Sequence, residues 1–267
     1  MILIGEKING TIPSVAEAIA KRDAEAIRQR AIAQTEAGAN FIDVCASVGD
    51  DEEMEVLEWL IGEVQAVTEL PICIDSPNPL SCIAAMKFCN KPGMINSVSM
   101  EGDKIDVVFP AIADTTWDCV ALLCASGIPK SAQERLDILD DIMAKADQYG
   151  IAHSRLHIDP LVEMLCTSMN GIAMVTEVMQ KAKAKYPALH ITGAISNISF
   201  NLPLRRVLNQ TFAVLSIANG MDSAVLDPTN KDLLGSIYAA EAMMGKDMFC
   251  MNYIGAYRAG RLHTPKN

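Results

Sequence analysis

Eight short apolar runs recur along the chain, each separated from the next by a longer segment with helical spacing, and this alternation leaves few folds open. The runs are "ILIGEKI" (2–8), "FIDVCA" (41–46), "PICIDS" (71–76), "GMINSV" (93–98), "CVALLCA" (119–125), "RLHIDP" (155–160), "HITGAIS" (190–196) and "DSAVLD" (222–227). Between them lie stretches such as "AIRQRAIAQTEAGA", "MEVLEWLIGEVQAV" and "AQERLDILDDIMAKADQYG", rich in good helix formers. Continuous Val, Ile, Leu and Cys suit strands covered on both faces, and strands alternating with helices imply parallel pairing through right-handed crossovers. Eight such units close a (β/α)8 TIM barrel, and 267 residues accommodate it as a single domain over 1–267. An open doubly wound sheet is the alternative, but no GxGxxG or GxxxxGK[ST] follows any run to give it a nucleotide-binding reason.

Composition narrows the function. A formal net charge of −11 argues against general nucleic-acid binding, which needs a basic footprint, so an anionic ligand would require a local Lys or Arg. The apolar runs are too short to span a membrane. The eight cysteines (Cys45, Cys73, Cys82, Cys89, Cys119, Cys124, Cys166 and Cys250) form no CxxC pair, so no metal site is expected. With no secretion signal, they read as reduced thiols in a cytoplasmic protein.

The ends of the runs break their apolar character. Asp75 directly follows Ile72, Cys73 and Ile74, and a buried carboxylate there must find a partner or shift its pKa. The pattern repeats: Glu6 and Asn9, Asp43, Asp75, Asn96, Asp159, Asn197 and Asp227 stand at or just past the ends of seven of the eight runs. In a barrel those ends converge on one mouth, where active sites of the fold are built. Singly, each residue reads equally as a helix cap or turn former, above all Asp159 and Asp227, which precede prolines. As a set they follow the last apolar residue directly. No His, Lys or Cys shares the register, so the nucleophile or metal cluster of a hydrolase or aldolase is not expected. Acids and amides instead match a flat heterocycle with an amidine-like edge, such as the 2-amino-4-oxo pyrimidine half of a pterin.

The stretches "GEKIN" (5–9), "IDS" (74–76), "MINSV" (94–98), "IDPLV" (158–162) and "ISNISFNLPLRRVLNQTF" (195–212) resemble the pterin-binding barrels. Within that group the chain is similar, over essentially its whole length, to the methyltetrahydrofolate:corrinoid protein methyltransferases, relatives of the folate module of cobalamin-dependent methionine synthase. The resemblance implies a homodimeric enzyme that moves a methyl group, in either direction, between N5 of tetrahydrofolate and the cobalt of a separate corrinoid protein. It implies that Asp75, Asn96 and Asp159 hold the pterin edge and that Asn197 hydrogen-bonds near N5, which makes Asn197 and Asp75 the catalytic candidates. Ser196, Gly193 and Asn9 would line the same pocket, with Asn201 as a weaker counterpart. Arg205 or Arg206 would meet the aminobenzoyl-glutamate tail, unless the pair is a solvated helix face. No dedicated general acid stands out, so Asp43, Asp75 or water would carry a hydrogen-bond network.

Two departures separate the relatives. Dihydropteroate synthase would need an "NxTPDSF"-type loop after the first strand and a basic residue on the seventh, where this chain has "NGTIPSVAE" and "AISN". The "RLH" at 261–263 lies in the tail, beyond the eighth helix. Nor is there a DxHxxG corrinoid-binding loop, so the corrinoid must arrive on another protein docking over the mouth. The alternatives are another pterin-binding barrel enzyme such as dihydropteroate synthase, or a non-catalytic folate-binding subunit.

Overall fold

The computed structural model describes residues 1–168 and 170–263. Its strands are β1 (Ile2–Asn9), β2 (Phe41–Cys45), β3 (Ile72–Asp75), β4 (Met94–Ser99), β5 (Asp118–Leu122), β6 (Leu156–Asp159), β7 (His190–Ile191) and β8 (Ser223–Leu226). They pair in parallel in the order β7-β6-β5-β4-β3-β2-β1-β8. The last seam, between β7 and β8, is stitched by a bridge from Ala194 to Val225, with the Val225 N–H donating to Gly193 O at 3.1 Å. The barrel is therefore nearly closed, as the eightfold alternation predicts, and the open sheet is set aside.

The helices on the outside are α1 (Pro13–Lys21), α2 (Ala24–Ala37), α3 (Asp50–Gln65), α4 (Pro79–Ala85), α5 (Lys104–Ile112), α6 (Ala132–Tyr149), α7 (Gly171–Lys185), α8 (Arg205–Ala218), α9 (Lys231–Met243) and α10 (Met251–Arg258). Helix α3 turns one stripe inward. Val56, Leu57, Leu60, Ile61 and Val64 of α3 recur at helical spacing and are all buried. Burying side chains of this kind contributes about 1.5–3 kcal/mol each. No described helix is long and apolar enough to cross a membrane.

Strand alternation sorts the side chains into two cores. Outward residues such as Ile42, Val44, Ile74 and Ile158 join the helices in one large core. Inward residues Ile4, Cys73, Met94 and Val120 form a separate plug, flanked by Ile2, Phe41, Leu122 and Val225. The plug divides the barrel interior into a mouth at the strand C-termini and a base at their N-termini.

One expected strand is mostly absent. The run "HITGAIS" contributes only His190 and Ile191 to the sheet, and Ile195–Ser199 wind into a 3-10 turn. The chain leaves the sheet around Gly193, which packs so closely that an added Cβ would lie 3.2 Å from Val162 Cγ2.

Candidate active site at the barrel mouth

A cavity of about 620 Å3 opens at the mouth. Its floor is the top of the apolar plug, Val120, Leu122 and Val225. Its walls carry Glu6, Asp43, Asp75, Asn96 and Asp159 on strand ends, and Ser196, Asn197, Phe200 and Arg205 on the segment after β7. Two bulges shape the wall. Along β1 the pairing with β2 passes from Gly5↔Ile42 to Ile8↔Val44, and along β4 the pairing with β5 passes from Asn96↔Val120 to Val98↔Ala121. Each inserts one extra residue, so that neighbours which would point to opposite faces both line the cavity: Glu6 with Lys7, and Asn96 with Ser97.

The structure brings together Asn9, Asp43, Asp75, Asn96, Asp159, Ser196, Asn197 and Arg205 from the sequence reading. Others stand apart. Gly193 lies behind Asp159, where a Cβ would sit 3.7 Å from its Oδ1. Asn201, held in a left-handed turn at φ 61°, points its Nδ2 at Met164 Sδ, 3.8 Å away, instead of into the cavity. Arg206 pairs with Asp232 on α9, which leaves Arg205 as the member of the pair that reaches the mouth. Asn197 is not on a strand end but in the 3-10 turn. Arg261 of the tail donates its Nε to Glu36 O at 3.2 Å, away from the cavity.

The turn reading and the site reading prove compatible. Asn9 Oδ1 accepts from the Thr11 N–H at 2.9 Å, and Asp159 Oδ1 from the Leu161 N–H at 2.8 Å, while both residues still line the cavity. Asp227 is occupied as a turn former: its Oδ1 accepts from the Thr229 N–H (2.9 Å) and O–H (2.6 Å), and its Oδ2 lies 3.4 Å from Lys7 Nζ. The expectation of no Lys or Cys in the register is corrected twice. Lys7 enters through the β1 bulge, and Cys45 ends β2 in register with Asp75. Burial first, and Asp75 second, push the Cys45 thiol up to about 12, so it is no nucleophile at neutral pH.

The acids are the unusual feature. Among the described residues no Lys, Arg or His lies within ion-pair distance of Glu6, Asp43, Asp75 or Asp159. Burial pushes Asp75 up to about 6, with Glu53 adding to the rise and a bond from Cys45 opposing it. Burial likewise pushes Asp159 up to about 6. Asp43, fully enclosed, is driven well above the ordinary carboxylate range by burial and by neighbouring Asp75, against the pull of the Asn96 amide donating to its Oδ1 at 3.2 Å. Glu6 is raised by burial and by Asp227. A wall of acids that make no ion pair, over an apolar floor, suits a flat ligand that supplies N–H donors along its edge.

Beyond the strand ends, Lys7, Ser97, Thr192 and Phe200 also line the cavity. Phe200 lies under the Arg205 guanidinium, 4.6 Å from ring centroid to carbon. Of these, only Thr192 has a signal in the sequence, as an inward position two residues after His190.

Comparison with known proteins bears on this geometry. The family model described as pterin binding enzyme matches residues 5–227. The methylcorrinoid:tetrahydrofolate methyltransferase of Eubacterium limosum is 44% identical over 265 residues, covering 98% of both chains. The methionine synthase of Mycobacterium leprae is 27% identical over 244 residues, which are 85% of this chain and 20% of that protein. Among solved structures, the dihydropteroate synthase of Xanthomonas albilineans in complex with 7,8-dihydropteroate superposes with a TM-score of 0.64 at 20% identity, covering 92% of each chain, which shows a shared fold. The chain belongs to the pterin-binding enzyme family.

Proposed function

We propose that this protein is a methyltransferase that carries a methyl group between N5 of tetrahydrofolate and the cobalt of a corrinoid held on a separate protein. One observation carries the reading: three acids without cation partners, the buried Asp43 and the half-buried Asp75 and Asp159, share a cavity wall with Asn96 over an apolar floor. The N–H groups of a pterin's pyrimidine edge supply what Asp75 and Asp159 lack, and Asn96 offers both a donor and an acceptor. The name of the 44% identical relative supports the choice of reaction.

Methyl transfer is a displacement, and N5 leaves readily only when it carries positive character. Asn197 serves this from the β7 side, since an amide donates or accepts as the charge on N5 changes. Asp43, its pKa raised by burial and by neighbouring Asp75, accepts from the Asn96 amide on the opposite side and passes its influence through that bond. Ser196 and Asn9 complete the pocket wall. Phe200 and Arg205 present a flat stacked pair at the rim, suited to an aminobenzoyl ring. Holding two reactants in line is itself worth about 7 kcal/mol or more.

The corrinoid arrives as a second substrate, since the sequence carries no DxHxxG loop to hold one. Large apolar side chains exposed on the segments after the strand C-termini (Leu80 at the start of α4, with Ile128, Leu165, Phe200 and Leu204) support docking of its carrier over the mouth. A separate exposed face around α10, with Met248, Phe249, Met251 and Tyr257, supports a homodimer. Eight free cysteines, five of them buried, support a reducing, cytoplasmic location.

The test is a single-turnover mixture of the protein with 5-methyltetrahydrofolate and cob(I)alamin. Appearance of the methylcobalamin spectrum is expected. Folate binding without turnover, or condensation of a pterin diphosphate with p-aminobenzoate, overturns the reading.

A further inference from the structure

Beside the mouth lies a smaller recess of about 310 Å3, bounded by Lys7, Ile12, Ser14, Gln29, Arg30 and Thr229. Lys7 and Ile12 line both spaces, so the recess adjoins the mouth at those residues. Its chemistry is the reverse of the mouth's. In a chain with 33 acidic and 22 basic residues, the recess is lined by two cations and no carboxylate. Arg30 donates to Ser14 Oγ at 2.7 Å and to Ala26 O at 3.3 Å, and pairs with no carboxylate among the described residues. Lys7 shares the Asp227 carboxylate at 3.4 Å, but Thr229 already donates twice to that group's other oxygen. The N-terminus of α1 opens at the same place, with Ser14 in its first turn and no side chain capping it. Its dipole adds to the positive field.

We propose that this recess is a carboxylate subsite that takes the glutamate tail of the bound folate. The inference rests on the folate reading above and extends it. A pterin held by Asp75 and Asp159 sends its tail outward, and the tail ends in carboxylates that the acids of the mouth repel. Among the described residues, two cations line the mouth, Lys7 and Arg205. Arg205 is built into the wall: its Nε donates to Ser199 Oγ and one Nη to Ser196 O, both at 3.0 Å, with Phe200 against its face. That suits it to the aromatic part of the tail. Lys7 then leads past Ile12 to Arg30, and each added glutamate in a polyglutamate brings one more negative charge to the cationic recess.

Calorimetry with three probes tests this: a 5,6-dimethyltetrahydropterin without a tail, 5-methyltetrahydrofolate, and its triglutamate. The native chain is expected to bind the triglutamate more tightly than the monoglutamate, by roughly five-fold or more at low salt. Arg30→Gln removes that preference and leaves tail-less pterin affinity unchanged, and Arg30→Lys restores most of it. In the native chain, raising salt from about 0.05 to about 0.5 M weakens the triglutamate selectively, a readout that needs no variant. If tail-less pterin binds but affinity is indifferent to tail length, the recess proposal alone is overturned. If Arg30→Gln weakens all three probes equally, Arg30 is structural and the proposal falls. If no probe binds, the folate reading falls and takes this with it.

Discussion

At the base of the barrel, the inward positions of β6, β7 and β8 hold His157, His190 and Ser223; at the mouth, the same strands and their neighbours hold acids and amides. The base groups partly satisfy one another, although His157 Nε2 is left without a hydrogen-bond partner. His157 Nδ1 lies 2.9 Å from Ser223 Oγ, and its ring stacks on His190 with centroids 4.7 Å apart. Asp222 accepts from Lys183 Nζ at 2.7 Å and from the Ile191 N–H at 2.9 Å. Burial alone would raise Asp222, but His190, Lys183 and the Ile191 amide outweigh it and hold the group at about 2. Asp118 is the base exception, pushed to about 6 by burial against the weaker pull of Arg155 and His190. The mouth acids have hydrogen-bond donors but, among the described residues, no cation within ion-pair distance, and all four are raised. One fold thus pairs the Asp222 carboxylate with cations at the base and leaves the acids of the mouth without one.

The sharpest way to break this division is to replace one group at each end. Asp75→Asn removes one acceptor for the pterin edge, and affinity for 5-methyltetrahydrofolate is expected to fall ten- to a hundred-fold, as loss of a charge-assisted pair does. His157→Asn, at the base, is expected to leave that affinity within about two-fold, because the apolar plug separates it from the cavity. Calorimetry on the two variants decides it, and equal losses would erase the distinction.

Asn197→Ala separates binding from chemistry within the mouth. The single-turnover rate of methyl transfer is expected to drop more than ten-fold, as it does when a hydrogen bond made in the transition state is lost. Affinity should change less than rate, since the pterin edge is held from the other wall. A variant with unchanged rate in the cobalt absorbance trace removes Asn197 from the chemistry.

These residues were legible in the sequence because strand alternation is a rule of period two, and a polar residue ending an apolar run stands out against it. Asp43, Asp75, Asn96 and Asp159 were found that way. Lys7 and Ser97 were not, because each owes its place to a bulge that shifts the register by one residue, and nothing local in "GEKIN" or "MINSV" marks the insertion. Asn201 was assigned to the pocket and lies outside it. The turn from Ser199 to Arg205 carries left-handed backbone at Asn201 and Leu204, which aims side chains in directions that spacing does not foretell. Arg30 was invisible for another reason. It sits on α2 among exposed polar residues, and only the packing of α1 and α2 against β1 brings it beside Lys7.

Unpaired acids also leave a mark on stability. Asp75 titrates at about 6 in the folded chain, against 3.8 for its ordinary value. The folded state therefore holds this proton more tightly than the unfolded state. The group's contribution is most favourable below pH 3.8 and is lost as pH rises to about 6, a change of about 3 kcal/mol. In the ligand-free protein, Asp75→Asn is expected to gain up to about that much at pH 8 and little at pH 4, while losing function. Urea unfolding at both pH values checks it, and an equal change at both would mean that the ionised carboxylate is not the source.

The base gives the opposite slope and the smallest effect. Burial, aided by His190, lowers His157 from 6.5 to about 3, so the folded chain keeps the ring neutral while the unfolded chain protonates it. The contribution of His157 is complete above pH 6.5 and is lost as pH falls toward about 3. Between pH 6.5 and 5 the loss is about 2 kcal/mol. His157→Asn keeps a group able to bond Ser223 but cannot titrate, so its stability should fall less over that window than the native chain's. If the two acid limbs run parallel, the base is not held neutral by burial, and the contrast between the ends of the barrel rests on the mouth alone.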